Sequence, residues 1–241
     1  MHLIRSVRKR LLRKYGQKRV ARRFDSLWEL DPKDWIDLRM IVRQPFEEQQ
    51  MAKLHALCAE LQPDTFLDCG ANFGFYTVRI AMGAPSMEVH AFEPVSTTRA
   101  KLERNLAQNA LQDRVTVHGV ALSNREGRAE ISIDPTSSGL STLAPDDEAQ
   151  RHRDYSYIET VPTARLDDTV PLQDRRIAIK MDVEGFELTA LEGMVRTLQS
   201  NEAVVQIETR PANAERLDAR MLELSYRFRD AIGEDRYYTK S

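Results

Sequence analysis

The chain has 241 residues, 41% of them hydrophobic, and a formal net charge of −2, which excludes a small disulfide-stapled scaffold and suits one large core, or one core with an appendage. Its two cysteines, Cys58 and Cys69, form no CxxC pair and its five histidines show no HxxxH or HExxH spacing; a disulfide framework and a zinc site are disfavoured, and a reducing cytoplasm is the expected location. Nothing approaches the roughly 20 apolar residues of a membrane span or the roughly 7 to 15 of a signal-peptide core.

The small net charge conceals an asymmetry. Residues 1–24 hold ten of the 35 Lys and Arg and no acid, leaving 25 basic against 37 acidic residues in the remainder. Within that segment Leu3, Ile4, Val7, Leu11 and Tyr15 recur at helical spacing until Gly16 interrupts them, so the spacing predicts a short basic amphipathic helix. Its expected partner is an anionic membrane surface, with the protein peripheral at the inner face; the plainer reading is a solvated basic tail or a helix packed on the acidic domain. Nucleic acid is not expected, because aromatics are few and the rest of the chain is acidic. Residues 25–44 show no clear period, so 1–44 is assigned to an amino-terminal helical extension and 45–241 to the main domain.

Pro45, Glu47 and Glu48 signal a helix start, and Met51, Leu54, Cys58 and Leu61 supply its apolar face. From residue 65, β-rich runs alternate with helical ones: "TFLDC", a helix from about 73, "EVHAF", a helix over about 96–109, and "RVTVHGV". Residues 121–165 break this rhythm. "NREG" between "VALS" and "RAEISI" predicts a hairpin turn, "PTSSGLSTLAPDD" a loop and "YSYIETVP" a strand. The alternation resumes with "RIAIKMDV", a helix over about 186–199 carrying Leu188, Leu191, Val195 and Leu198, then "AVVQIE", a helix near 213–225, and a closing antiparallel hairpin at Gly233. Such a pattern predicts a doubly wound α/β fold, five parallel strands plus a terminal hairpin, with the ligand crevice at the strand carboxyl ends.

In "FLDCGANFGFY", Gly70 and Gly74 let the backbone bend and approach a ligand at the next helix start. The pattern is DxGxxxG rather than the GxGxxG of dinucleotide folds. Asp68 would repel a pyrophosphate but suits positive charge, such as the ammonium and sulfonium of S-adenosylmethionine; its structural alternative is a turn aspartate bonding its own backbone. Glu93, at the end of "HAFE", is placed to accept from both ribose hydroxyls, or is merely an exposed acid before Pro94.

Taken together, "FLDCGANFGFYT", "VHAFEPVSTTRAKLERNLAQN", "VALSNREG" and "IKMDVEGFELTALEGM" resemble the successive motifs of the FkbM-type family of S-adenosylmethionine-dependent methyltransferases, over about residues 65–209. The resemblance implies a seven-stranded, mostly parallel, Rossmann-like class I methyltransferase fold. It also implies O-methylation of a hydroxyl, of a sugar in a glycolipid or polysaccharide or of a related natural product. Under it Asp68, Gly70, Ala71, Asn72 and Gly74 frame the methionine end of the cofactor, Glu93 with Pro94 beside it holds the ribose, and the segment around Ala121 borders the adenine.

Along "IAIKMDVEGFE", Ala178, Lys180 and Asp182 share one face of a strand, so Asp182 is expected beside the Gly70 loop. There a carboxylate can take the proton of an acceptor hydroxyl. Asp182 is the candidate base, with Glu184 as the alternative. The plainer readings are that Glu184 and Glu187 complement a helix dipole and that Asp182 neutralises Lys180. An oxygen-lined Mg²⁺ site on Asp182 and Glu208 is a further possibility. Cys69 reads as a packed core residue, and Ser137, Ser138, Ser141 and Thr142 as a solvated or acceptor-lining loop. The rival functions are an NAD(P)-dependent dehydrogenase and a non-catalytic module retaining the fold.

Overall fold

The computed structural model describes residues 2–133 and 157–240, with side chains from residue 8 onward. The chain opens with α1 (His2–Tyr15), a hairpin of β1 (Arg19–Arg23) and β2 (Ser26–Leu30), then α2 (Trp35–Ile41) and α3 (Glu48–Leu61). The crossovers follow as β3 (Thr65–Cys69), α4 (Phe75–Gly83), β4 (Glu88–Phe92), α5 (Ser96–Gln108) and β5 (Val115–His118). An accessory region contains β6 (Ala121–Leu122), β7 (Gly127–Ile133) and β8 (Tyr157–Ala164). The chain continues through α6 (Leu166–Thr169), β9 (Arg176–Met181), α7 (Glu187–Glu192), α8 (Val195–Ser200), β10 (Glu202–Glu208), α9 (Pro211–Glu223), β11 (Tyr226–Ile232) and β12 (Asp235–Lys240).

The central sheet has seven strands in the order β11-β12-β10-β9-β3-β4-β5. β10, β9, β3, β4 and β5 run parallel, and β12 joins β10 antiparallel, as the alternation of β-rich and helical runs predicts. Strand parity divides the core. Phe66, Val89, Ala178 and Val204 meet α3, α4 and α5 on one face, while Leu67, Ile177, Ile179, Met181 and Val205 meet α7, α8 and α9 on the other. The strand order reverses between β3 and β9, so the crevice opens where both strands end.

Several expectations are corrected. Residues 25–44 are regular: the β1–β2 hairpin turns on Phe24 and Asp25, both left-handed at φ 49° and 60°, the geometry of a tight hairpin turn that is ordinarily signalled by Asn-Gly or Asp-Gly. A Phe-Asp turn gives no such signal. Trp28, Leu30, Ile36, Leu38, Met40 and Ile41 enter the same core as Phe66 and Ala178. In addition, Asn105 of α5 and Asn109, which caps it, accept from the backbone N–H of Glu29 and Leu27 at 2.8 and 2.9 Å. The extension therefore merges with the domain well before residue 44, and among the described residues α1 joins it through one packed side chain. On α1 the packing residue is Leu12, not Leu11 or Tyr15, which are exposed.

The "NREG" hairpin does not form between its flanking segments. β6 pairs parallel with β8 and β7 pairs antiparallel with β8, so β8 is the middle strand of a separate three-stranded sheet. The helix expected over 186–199 is two helices. Ser123 crosses at Gly193, where a Cβ would lie 1.9 Å from its carbonyl oxygen, and the chain turns to admit it. The last crossover helix starts at Pro211, two residues earlier than expected, with proline in its first turn. The expected loop "PTSSGLSTLAPDD", with Ser137, Ser138, Ser141 and Thr142, lies outside the described residues.

Candidate active site

The loop after β3 is bound to both neighbouring strands. Gly70 and Ala71 donate to the Phe92 carbonyl at 3.0 and 2.9 Å, and the Asp182 amide donates to the Cys69 carbonyl at 2.9 Å. Gly70 has φ +85°, and a Cβ there would lie 1.8 Å from the Asp182 carbonyl oxygen, so only glycine lets β9 end against this loop. Gly74 is the N-cap of α4. These contacts frame a cleft with about 650 Å³ of empty space, open solvent included.

Gly70, Asn72, Glu93, Pro94, Ala121, Asp182 and Glu184 line the cleft, whereas Asp68, Ala71 and Gly74 do not. Ala71 and Gly74 shape the loop from behind, the Gly74 amide donating to the Ala71 carbonyl at 2.8 Å. Asp68 is 2% exposed. Its Oδ2 accepts from the Thr77 amide at 2.9 Å and from the Thr77 hydroxyl. It therefore supplies from β3 the side-chain cap that α4 lacks at Gly74, and burial pushes its carboxyl up to about 6. Its contact is with the helix, closer to the turn-aspartate alternative than to direct contact with a ligand.

Glu93 sits in the cleft wall, with Oε2 accepting from the Asn72 amide and Oε1 from the Val95 amide, both at 2.9 Å. Each oxygen is fixed and retains lone-pair capacity for a further donor. Burial raises this carboxyl to about 7, against the two amide bonds that lower it. Asn72 Oδ1 is buried with no hydrogen-bond partner among the described residues, an acceptor suited to an ammonium group. Val95, Val120, Leu122 and Ile131 add an apolar slot beside Ala121. The β7 residue Ile131 carries no sequence signal of this role, because it arrives through the accessory sheet. The lining has three carboxylates and no Lys, Arg or His, so it fits a cationic nucleoside such as S-adenosylmethionine and repels a pyrophosphate.

Asp182 joins this cleft to a second cluster. Its Oδ2 is 3.5 Å from Lys180 Nζ, which also lies 3.7 Å from Glu208 Oε2 and 3.7 Å from Asp235 Oδ1. Lys180 is buried, and Nζ makes no hydrogen bond among the described residues. Its ammonium rests 5.4 Å from the Tyr76 ring centre. Burial opposes that charge, but Asp182, Asp235 and Glu208 outweigh it and hold the ammonium well above its ordinary range. Gln206 Nε2 donates to Asp235 at 2.7 Å and to the Tyr76 oxygen at 3.0 Å, and Tyr76 in turn donates to Glu47 at 3.1 Å. Glu208 is pushed up to about 9, by the Asp182 charge first and burial second, a shift toward the neutral carboxyl.

Lys180 and Asp182 share a strand face, as their spacing predicts, but Asp235 enters from the terminal hairpin and nothing in the sequence announces it. Asp182 and Glu208 do converge; between them lies the Lys180 ammonium, where an Mg²⁺ ion would need oxygen ligands. Among the described residues no three His, Cys, Asp or Glu side chains are grouped to hold a metal. Glu184 reaches the cleft from a left-handed turn at φ 51°. Glu187 is spent on that turn, accepting from the Gly185 amide at 2.8 Å. Cys69 is fully buried and its thiol is pushed far up by burial, as expected of a core residue.

Comparison with known proteins agrees with this geometry. Residues 68–228 match the model of the methyltransferase FkbM domain. The chain is 30% identical over 162 residues to methyltransferase sdnD of Sordaria araneosa, covering 56% of this chain and 62% of that protein. It is 31% identical over 93 residues to 31-O-demethyl-FK506 methyltransferase FkbM of Streptomyces tacrolimicus, covering 38% of this chain and 35% of that one. The chain thus spans less than two thirds of either relative. Among solved structures, methyltransferase FkbM of Methylobacillus flagellatus superposes with TM-score 0.53 at 20% identity, covering 73% of this chain and 43% of the other, a likeness of fold.

Proposed function

Because the chain belongs to the FkbM methyltransferase family, we propose that it transfers a methyl group from S-adenosylmethionine to a hydroxyl oxygen, with a sugar of a glycolipid, polysaccharide or related natural product as acceptor. The observation that carries this reading is the cleft lining: three carboxylates without a cation, an apolar slot, and Asp182 at the end nearest the Gly70 loop. S-adenosylmethionine, when bound, supplies an electrophilic methyl on a positively charged sulfur. Glu93 would accept from the ribose hydroxyls, Asn72 Oδ1 from the ammonium, and Ala121 with its apolar neighbours would cover the adenine. Asp182 would orient the acceptor hydroxyl and take its proton as the oxygen attacks, with Glu184 the alternative on the same rim. Most of the rate would come from holding the oxygen in line.

Transfer to oxygen has two supports. One relative is named for an O-demethyl substrate. The cleft also offers a carboxylate base, whereas the cysteine nearest the loop is buried and protonated. A dehydrogenase reading has neither a GxGxxG loop nor a cation for a pyrophosphate. The test is incubation with methyl-labelled S-adenosylmethionine and fractionated glycolipids, polysaccharides and small metabolites. Label in an ether linkage on a glycan supports the proposal; label on nitrogen or carbon, or none with any fraction, contradicts it.

A further inference from the structure

Helix α1 meets the core through Leu12, whereas Leu11 and Tyr15, one turn apart, are 54% and 69% exposed. Arg8, Arg10, Arg13 and Lys14 surround that apolar pair and are themselves exposed. The same character continues onto the hairpin. Ala21 and Arg19 pair with Trp28 and Leu30, which are buried, so parity sends Val20 and Arg22 outward. Val20 is 53% exposed, and Arg22 is exposed beside it.

Six cations of this surface meet no carboxylate among the described residues. Lys18 reaches Asp31 at 3.5 Å, but among the described residues Arg8, Arg10, Arg13, Lys14, Arg19 and Arg22 have no carboxylate within ion-pair distance. The Arg23 guanidinium is lowered by burial and further by Arg43, Arg19 and Arg8, so these groups stand close enough to repel one another. Its donors go to the carbonyl oxygens of Met40, Ile41 and Arg22. Such a cluster is relieved by an anionic partner. Exposed leucine and valine side chains find apolar contact in a bilayer but none along a phosphate backbone, which separates a membrane from a nucleic acid.

We propose that α1 and the outer face of the β1–β2 hairpin form one docking surface for an anionic lipid bilayer, with Leu11, Tyr15 and Val20 at the acyl boundary and the arginines and lysines at the headgroup phosphates. Each such cation strengthens binding by about fivefold, with diminishing returns as charges crowd. Salt weakens the attraction by screening.

Co-sedimentation of the full chain with phosphatidylserine-rich vesicles and with pure phosphatidylcholine vesicles tests this. Binding is expected to the first only, and to be released by salt. The combined variant Arg10→Gln/Arg13→Gln/Lys14→Gln/Arg22→Gln should bind on the order of a hundredfold more weakly, and Leu11→Ser/Tyr15→Ser about tenfold more weakly. Thermal unfolding and S-adenosylmethionine titration of the same variants should be unchanged, which separates failed docking from failed folding and from failure of the methyltransferase reading. Indifference of the intact protein to anionic vesicles at low salt, equal binding to neutral vesicles, or unaltered binding by the four-charge variant would overturn the proposal. Tighter binding to duplex nucleic acid than to vesicles would overturn it in favour of that partner.

Discussion

At the carboxyl ends of β9 and β10, Asp182, Glu208 and Asp235 are gathered around one buried ammonium, Lys180; along α1 and β1, ten basic residues stand with no acid in the first 24 positions. The first region balances its charge internally, and the Asp182 charge pushes the Glu208 carboxyl toward its neutral form. The second leaves Arg8, Arg10, Arg13, Lys14, Arg19 and Arg22 exposed. Internal balance in a dry site fixes side chains to within bonding distance and shifts their proton affinities, as proton transfer to a positioned base requires. Uncompensated charge on an exposed helix fixes little and attracts over a longer range, which suits a surface that meets another surface.

The largest effects should come from the compensated region. Asp182→Asn should lower turnover by roughly 10² to 10⁴ while leaving cofactor affinity within a few-fold, because its interaction develops as the acceptor loses its proton. Glu208→Gln should stay within a few-fold of the wild-type turnover, since its raised proton affinity favours the neutral carboxyl that an amide resembles. Single-turnover rates with an identified acceptor compare the two. Equal losses would contradict the division of labour and favour a metal held by both carboxylates.

Lys180→Met sharpens the contrast by stability. It removes the ammonium from Asp182, Glu208 and the buried Asp235 and should cost about 3 to 5 kcal/mol, read as a shift in denaturant midpoint. Neutralising the four exposed cations of α1 and β1 should change stability by about 0.5 kcal/mol or less. If both variants shift stability alike, the basic segment is part of the fold rather than a surface.

Glu93 carries a smaller, pH-dependent effect. Glu93→Gln should weaken S-adenosylmethionine binding by roughly 1 to 3 kcal/mol, the scale of a lost charge-assisted bond. Burial raises this carboxyl from 4.5 to about 7, so the folded protein binds the proton more tightly than the unfolded chain. Its contribution to apoprotein stability therefore declines as pH rises from 4.5 to about 7. Ribose hydroxyls prefer the ionised acceptor, so cofactor affinity should fall by about tenfold per pH unit below about 7 and level off above it. The Gln variant should show no such slope; a retained slope would assign it to another group.

The parallel sheet, the glycine loop and the places of Glu93 and Asp182 were legible because they rest on period and spacing. Alternation of β-rich and helical runs dictates the sheet, and a two-residue repeat carries Lys180 and Asp182 to one face. Asp68 was legible as a loop residue but not as a cap, because its partner Thr77 lies a turn into the following helix. The Phe24–Asp25 turn lacks the usual residues for left-handed backbone, so the hairpin and the core contribution of Trp28 went unseen. Asp235 and Ile131 reach the site through pairings of the terminal hairpin and the accessory sheet, and such long-range registers leave no local mark. On α1, helical period identified the apolar residues but could not say that Leu12 would pack inward and leave Leu11 and Tyr15 free.

Calorimetric titration of the wild-type full chain with S-adenosylmethionine, and separately with NADH, addresses the central claim most directly. A lining of three carboxylates without a cation predicts one saturable site for S-adenosylmethionine and no heat with NADH; saturation by NADH with none by S-adenosylmethionine would contradict it.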